Sequence, residues 1–153
     1  MKAEFDRYIN EAIKLELNVS DLYLLFYSLF PEDSNFWWIL AVEEKNHAAL
    51  LKNMKQLYHI IHATPEDLLP EHIEDLEEAN RRITETMLDF RKDPSRKKAF
   101  EYAISIEESV GESHFQMFTE NHSRPEEFEI FRQLNLDDKN HATRIQSYMR
   151  SHM

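Results

Sequence analysis

The chain has 153 residues with one Gly, five Pro and no Cys, 42% apolar residues and a formal net charge of −11. That length suits one domain, 1–153, with a full core, and so few turn formers predict a handful of long helices and no sheet. Without Cys there is no disulfide, zinc–thiolate site, iron–sulfur cluster or rubredoxin-type centre, and the acidic balance argues against a nucleic-acid or anionic-membrane surface.

The first 14 residues mix charged and apolar side chains and show no secretory signal. The longest apolar run, 36–42, is far too short to span a bilayer. The expectation is a soluble cytoplasmic protein.

The first predicted helix covers about 2–30 and stops at Pro31. Phe5, Ile9, Ala12, Glu16, Val19, Tyr23, Phe26 and Phe30 recur at steps of four and three, the seam of a bundle helix. Glu16 sits within this apolar stripe, where a charge is costly unless paired or metal-bound. Ser34 is positioned to cap a second helix, about 35–62, with the seam Trp37, Leu40, Glu44, His47, Leu51, Met54 and Tyr58. The segments 22–30 and 36–40 are apolar on more than one face, so the crossover or a second subunit should cover them; a homodimer is expected.

A third helix, about 65–92, begins at Thr64-Pro65 or near Pro70. It has one narrow stripe, Leu69, Ile73, Leu76, Ile83, Met87 and Phe90, and a solvated acidic face. At 1.5 Å per residue it is long enough to carry the chain back along a bundle. Asp93-Pro94-Ser95 breaks it. A helix over about 96–121 follows, with the seam Phe100, Ala103, Glu107, Val110, His114 and Met117. The last helix, about 125–150, has the seam Phe131, Leu134, Asp138, His141, Ile145 and Tyr148.

Two of these helices share a motif. Glu44-Lys45-Asn46-His47-Ala48 returns as Asp138-Lys139-Asn140-His141-Ala142, 94 residues later, and Ala12-Ile13-Lys14-Leu15-Glu16 matches Ala103-Ile104-Ser105-Ile106-Glu107, 91 later. Each half thus carries one carboxylate followed by a carboxylate-x-x-His pair. Residues at i and i+3 share a helix face about 5–6 Å apart, so both can reach one metal ion. Counted from the turns, each carboxylate lies about 10–15 residues away, so the four meet at similar height. One buried Glu or His is usually a satisfied core group. Six at repeated spacing and equal depth favour a metal site, since unneutralised carboxylates would repel one another. The other histidines, His59, His62, His72, His122 and His152, read as surface residues.

Single carboxylates on two helices and carboxylate-x-x-His pairs on two others form the pattern of di-iron and di-manganese four-helix bundles. From Glu16 to Tyr148 the chain resembles the ferritin-like superfamily, most of all rubrerythrin-like di-iron carboxylate proteins, here without a rubredoxin domain. The resemblance implies an all-α, ferritin-like four-helix bundle with a long helical crossover between its second and third bundle helices. It implies that Glu16 and His47 are terminal ligands of one metal, that Glu107 and His141 are those of the other, and that Glu44 and Asp138 bridge them. Tyr23 and His114, each seven residues after a single glutamate, can lean back toward the ligand layer and hydrogen-bond ligand carboxylates, though His114 reads equally well as a plain core histidine. Two iron ions are expected, with manganese or a mixed pair as the alternative. The implied activity is an oxidoreductase that reacts with dioxygen or hydrogen peroxide and oxidises Fe(II), supplied with electrons by an external donor protein. A ferritin-like iron oxidation and storage protein and a metal-free helical-bundle binding module are the competing readings.

Overall fold

A computed structural model of the chain describes residues 2–61, 73–108 and 129–153, the side chains of 2, 61, 129–132, 134, 135 and 138 excepted. Every element among the described residues is helical: α1 (Lys2–Leu29), a 3-10 turn (Pro31–Asp33), α2 (Ser34–Ile61), α3 (Ile73–Lys92), α4 (Arg96–Ile106) and α5 (Glu129–His152). They form two compact units, Met1–Pro94 and Ser95–Met153. None of the described helices is long and apolar enough to cross a membrane.

In the first unit α1 and α2 form an antiparallel hairpin. Its register is visible in pairs whose numbers run in opposite directions. His59 Nε2 lies 2.6 Å from Asp6 Oδ1, Lys55 Nζ donates to Asn10 Oδ1 at 2.8 Å, and the Tyr23 and Trp37 rings are 5.4 Å apart. Every seam residue predicted for these helices is buried. Each large apolar side chain taken out of water stabilises the hairpin by about 1.5–3 kcal/mol. His59, expected at the surface, is half-buried because Asp6 draws it onto α1.

Ser34 does not cap α2. Its backbone is already helical (φ −57°, ψ −46°), and its N–H bonds to Pro31 O. The fixed φ of Pro31 starts a tight turn that runs straight into α2, so no extended residue is left at position 34 to act as a cap. Buried Asp33 directly precedes the helix, where a carboxylate is favoured by the dipole.

α3 runs parallel to α1, as paired numbers rising together show: Arg7 bonds Glu77, Asn80 bonds Glu11, and the Phe26 and Phe90 rings stand 4.9 Å apart. Its predicted stripe from Ile73 to Phe90 is buried. The start of this helix near 65–70 lies outside the described residues. Asn80 is a buried polar residue on that stripe. It accepts from Asn18 Nδ2 at 3.0 Å and donates to the Glu11 backbone oxygen at 3.1 Å and to Glu11 Oε2 at 2.9 Å, tying α3 to α1.

In the second unit Ser95 is extended (φ −136°, ψ 114°), and its Oγ accepts from the Lys98 N–H at 3.4 Å, capping α4. α4 and α5 are antiparallel. Phe100 stacks on Tyr148 at 5.7 Å, Tyr148 stacks on exposed His152 at 3.8 Å, and Arg96 donates to the His152 carbonyl at 3.2 Å. The turn expected near 121–125 lies outside the described residues, as do His62, His72 and His122.

Candidate metal centre

The first unit brings three of the six expected ligands together. Glu16 comes from α1, and Glu44 and His47 come from one face of α2, one helical turn apart. Each offers a ligand atom within 4.8 Å of the other two. His47 Nδ1 is 3.2 Å from Glu44 Oε2 and 3.5 Å from Glu16 Oε2. All three are buried, with 4%, 1% and 4% exposure for Glu16, Glu44 and His47.

Burial of this depth changes how the groups hold protons. Desolvation, reinforced by the charge of Glu44, pushes the Glu16 carboxyl up to about 8. For His47 burial acts against the charged ring, but its hydrogen bonds to Glu16 and Glu44 outweigh that and push it up to about 12. At neutral pH without metal, Glu16 therefore keeps its proton and His47 is an imidazolium, its Nδ1–H donating to Glu44. The site binds protons where its donor set suits a metal cation. Two carboxylate oxygens and an imidazole nitrogen, with no thiolate, could hold a divalent metal ion. A dication displacing those protons would meet the charge demand of the carboxylates.

The second unit repeats half of this arrangement. Glu107, at the end of α4, has its Oε1 3.5 Å from Nδ1 of His141 on α5, and both are buried at 4% and 2% exposure. Glu107 and Glu108 continue α4 in π-helical geometry, a widened turn often found at functional sites. The expected partner Asp138 lies one turn before His141 on α5, with its side chain outside the described residues; His114 lies outside them entirely. Tyr23 is fully buried two turns after Glu16, its ring against Trp37.

Ser20 escaped the sequence reading. It is fully buried, and its Oγ donates to the Ala41 carbonyl at 2.8 Å, one turn from Glu16 on α1 and one turn from Glu44 on α2. This bond fixes the spacing of the two ligand-bearing helices beside the site. A polar residue four positions after Glu16, on the same apolar face, was the available signal. Comparison of the chain with protein-family models, curated proteins and solved structures finds no match.

Proposed function

We propose that the protein is a di-iron, or di-manganese, carboxylate oxidoreductase of the ferritin-like, rubrerythrin-like kind, built on a four-helix bundle in which α3 is the crossover. It reacts with dioxygen or peroxide and oxidises Fe(II). The observation that carries this reading is the buried Glu16, Glu44 and His47 cluster, matched in the other half of the repeat by Glu107 facing His141.

In this reading Glu16 and His47 hold one metal, Glu107 and His141 hold the second, and Glu44 and Asp138 take the shared positions that the sequence resemblance implies. Metal uptake requires Glu16 and His47 to release their protons. Tyr23 and His114 orient ligand carboxylates by hydrogen bonding. Bound iron would supply the redox chemistry there. Deep burial of the donors keeps bulk water from competing for the metal and for the oxidant. Reducing equivalents come from a separate donor protein.

The test is metal analysis of protein purified without chelators, followed by anaerobic loading with Fe(II) and exposure to dioxygen or peroxide. About two metals per chain and oxidant-dependent oxidation of Fe(II) are expected. Undiminished metal content after His47→Ala together with His141→Ala would remove the basis of the reading.

A further inference from the structure

We infer that the outward face of α2 is the surface on which two copies of this chain pair, antiparallel, about a two-fold axis passing between Ala49 and Leu50. This inference does not rest on the metal assignment. It narrows the broader expectation for 22–40, where Leu22, Tyr23, Phe26, Phe30, Trp37 and Leu40 are buried while Tyr27, Trp38 and Ile39 are exposed.

The first observation is exposure. Ile39, Val42, Leu50, Leu57 and Ile60 on α2 are 49%, 39%, 38%, 53% and 74% exposed, although their neighbours on the other face are in the core. At 3.6 residues per turn these five lie within about 60° of one line along the helix, a stripe about 31 Å long. The stripe is filled out by exposed Asn46, Ala49 and Asn53. Its centre carries no charged side chain; half-exposed Glu43 stands at one edge.

The second observation is symmetry. A two-fold contact requires that when residue i meets residue j, j also meets i. Reversed about the point between 49 and 50, the stripe maps onto itself: Ile39 meets Ile60, Val42 meets Leu57, Asn46 meets Asn53 and Ala49 meets Leu50. Apolar falls on apolar and amide on amide. Small Ala49 beside the axis lets the two helices approach closely.

Charge and area favour a second copy as the occupant. Each copy carries −11, so approach on an acidic face such as the solvent side of α3 is opposed. The stripe is flanked by charges of both signs, half-exposed Glu43 on one edge and exposed Lys45 and Lys52 on the other. Under the two-fold Glu43 faces the neutral Gln56 of the other copy, while the lysine stems are long enough to reach solvent. Trp38 (51% exposed) flanks the stripe and packs on Tyr27 (41%) with ring centroids 5.8 Å apart. With those two included, the exposed apolar side chains offer on the order of 700 Å² per copy at about 200 Å² each when fully exposed. A stable interface takes about 800 Å² from each partner.

Light scattering or sedimentation at tens of micromolar should show a dimer for the full chain. Ile39→Glu with Leu57→Glu should give a monomer with an unchanged far-UV circular dichroism spectrum, since both positions are exposed. The chain has no Cys, so introduced thiols report the register alone. Ala49→Cys should form a covalent dimer on mild oxidation. Ile39→Cys should not do so by itself, yet should cross-link when mixed with Ile60→Cys. A monomeric wild type would assign the stripe to a different partner and end the proposal. A dimer that survives the double Glu variant, or that cross-links through Ile39→Cys alone, would place the interface elsewhere or in another register and overturn it too.

Discussion

His141 presents Nδ1 to Glu107 Oε1 at 3.5 Å, the separation at which His47 presents the same nitrogen to Glu16 in the other half of the repeat. The two halves of the sequence thus reproduce a local geometry as well as a spacing. If each imidazole anchors one metal, His47→Ala and His141→Ala should each lower metal content from about two to about one per chain, and the double variant should bring it to zero. Elemental analysis of the three variants checks this, with circular dichroism confirming retained helix.

The protons held at the first site give a pH dependence of definite sign. Glu16 rises from 4.5 to about 8 on folding, so the native state holds its proton more tightly than the unfolded chain. Its contribution is complete below pH 4.5 and is lost as pH rises through 8. His47, raised from 6.5 to about 12, acts in the same sense: its contribution is complete below 6.5 and fades as pH rises through 12. Metal-free protein should therefore melt at progressively lower temperature as pH rises from 5 to 9. Glu16→Gln should flatten the part of this slope between 4.5 and 8, and saturating Mn(II) should reverse it, because metal competes with those protons.

Ser20→Ala removes the bond from α1 to the Ala41 carbonyl at the height of the ligands. A destabilisation of about 1 kcal/mol is expected in urea unfolding. Metal affinity should fall with it, because the spacing of Glu16 from Glu44 and His47 is no longer pinned. Unfolding and metal titration on the same preparation separate the two effects.

Asn80→Ala should cost more, about 1–3 kcal/mol, because it strands the Asn18 amide and the Glu11 groups in a part-buried setting. Asn80 bonds Asn18 and Glu11 in the α1–α3 contact and not a ligand side chain, so metal stoichiometry should be unchanged while the denaturation midpoint drops.

Asp138 stands in the repeat where Glu44 stands, one methylene shorter, which retracts its carboxylate by over 1 Å. Metal loss to a chelator should therefore occur in two steps separated by about tenfold in affinity, or 1.4 kcal/mol. Asp138→Glu should merge the steps and speed Fe(II) oxidation. Single-step loss from the wild type would show that the backbone already compensates.

Much of this was legible in the chain because a helix converts spacing into direction. The seams of α1 and α2, including the unlikely core members Glu16, Glu44 and His47, were readable from steps of three and four. The break at Asp93-Pro94-Ser95 and the new helix from about residue 96 were local chemistry, readable from the chain; that Ser95 caps this helix was seen only in the structure. Only tertiary structure decided what depends on a second element. Ser34 lost its cap role to the turn started by Pro31, His59 was drawn to Asp6, and Ser20 found the Ala41 carbonyl. Periodicity says which residues share a face but not what lies opposite that face. Glu16 and His47 therefore became a proton-holding pair, and Ile39, Leu57 and Ile60 an open stripe, only once helix met helix and desolvation fell on some faces and not on others.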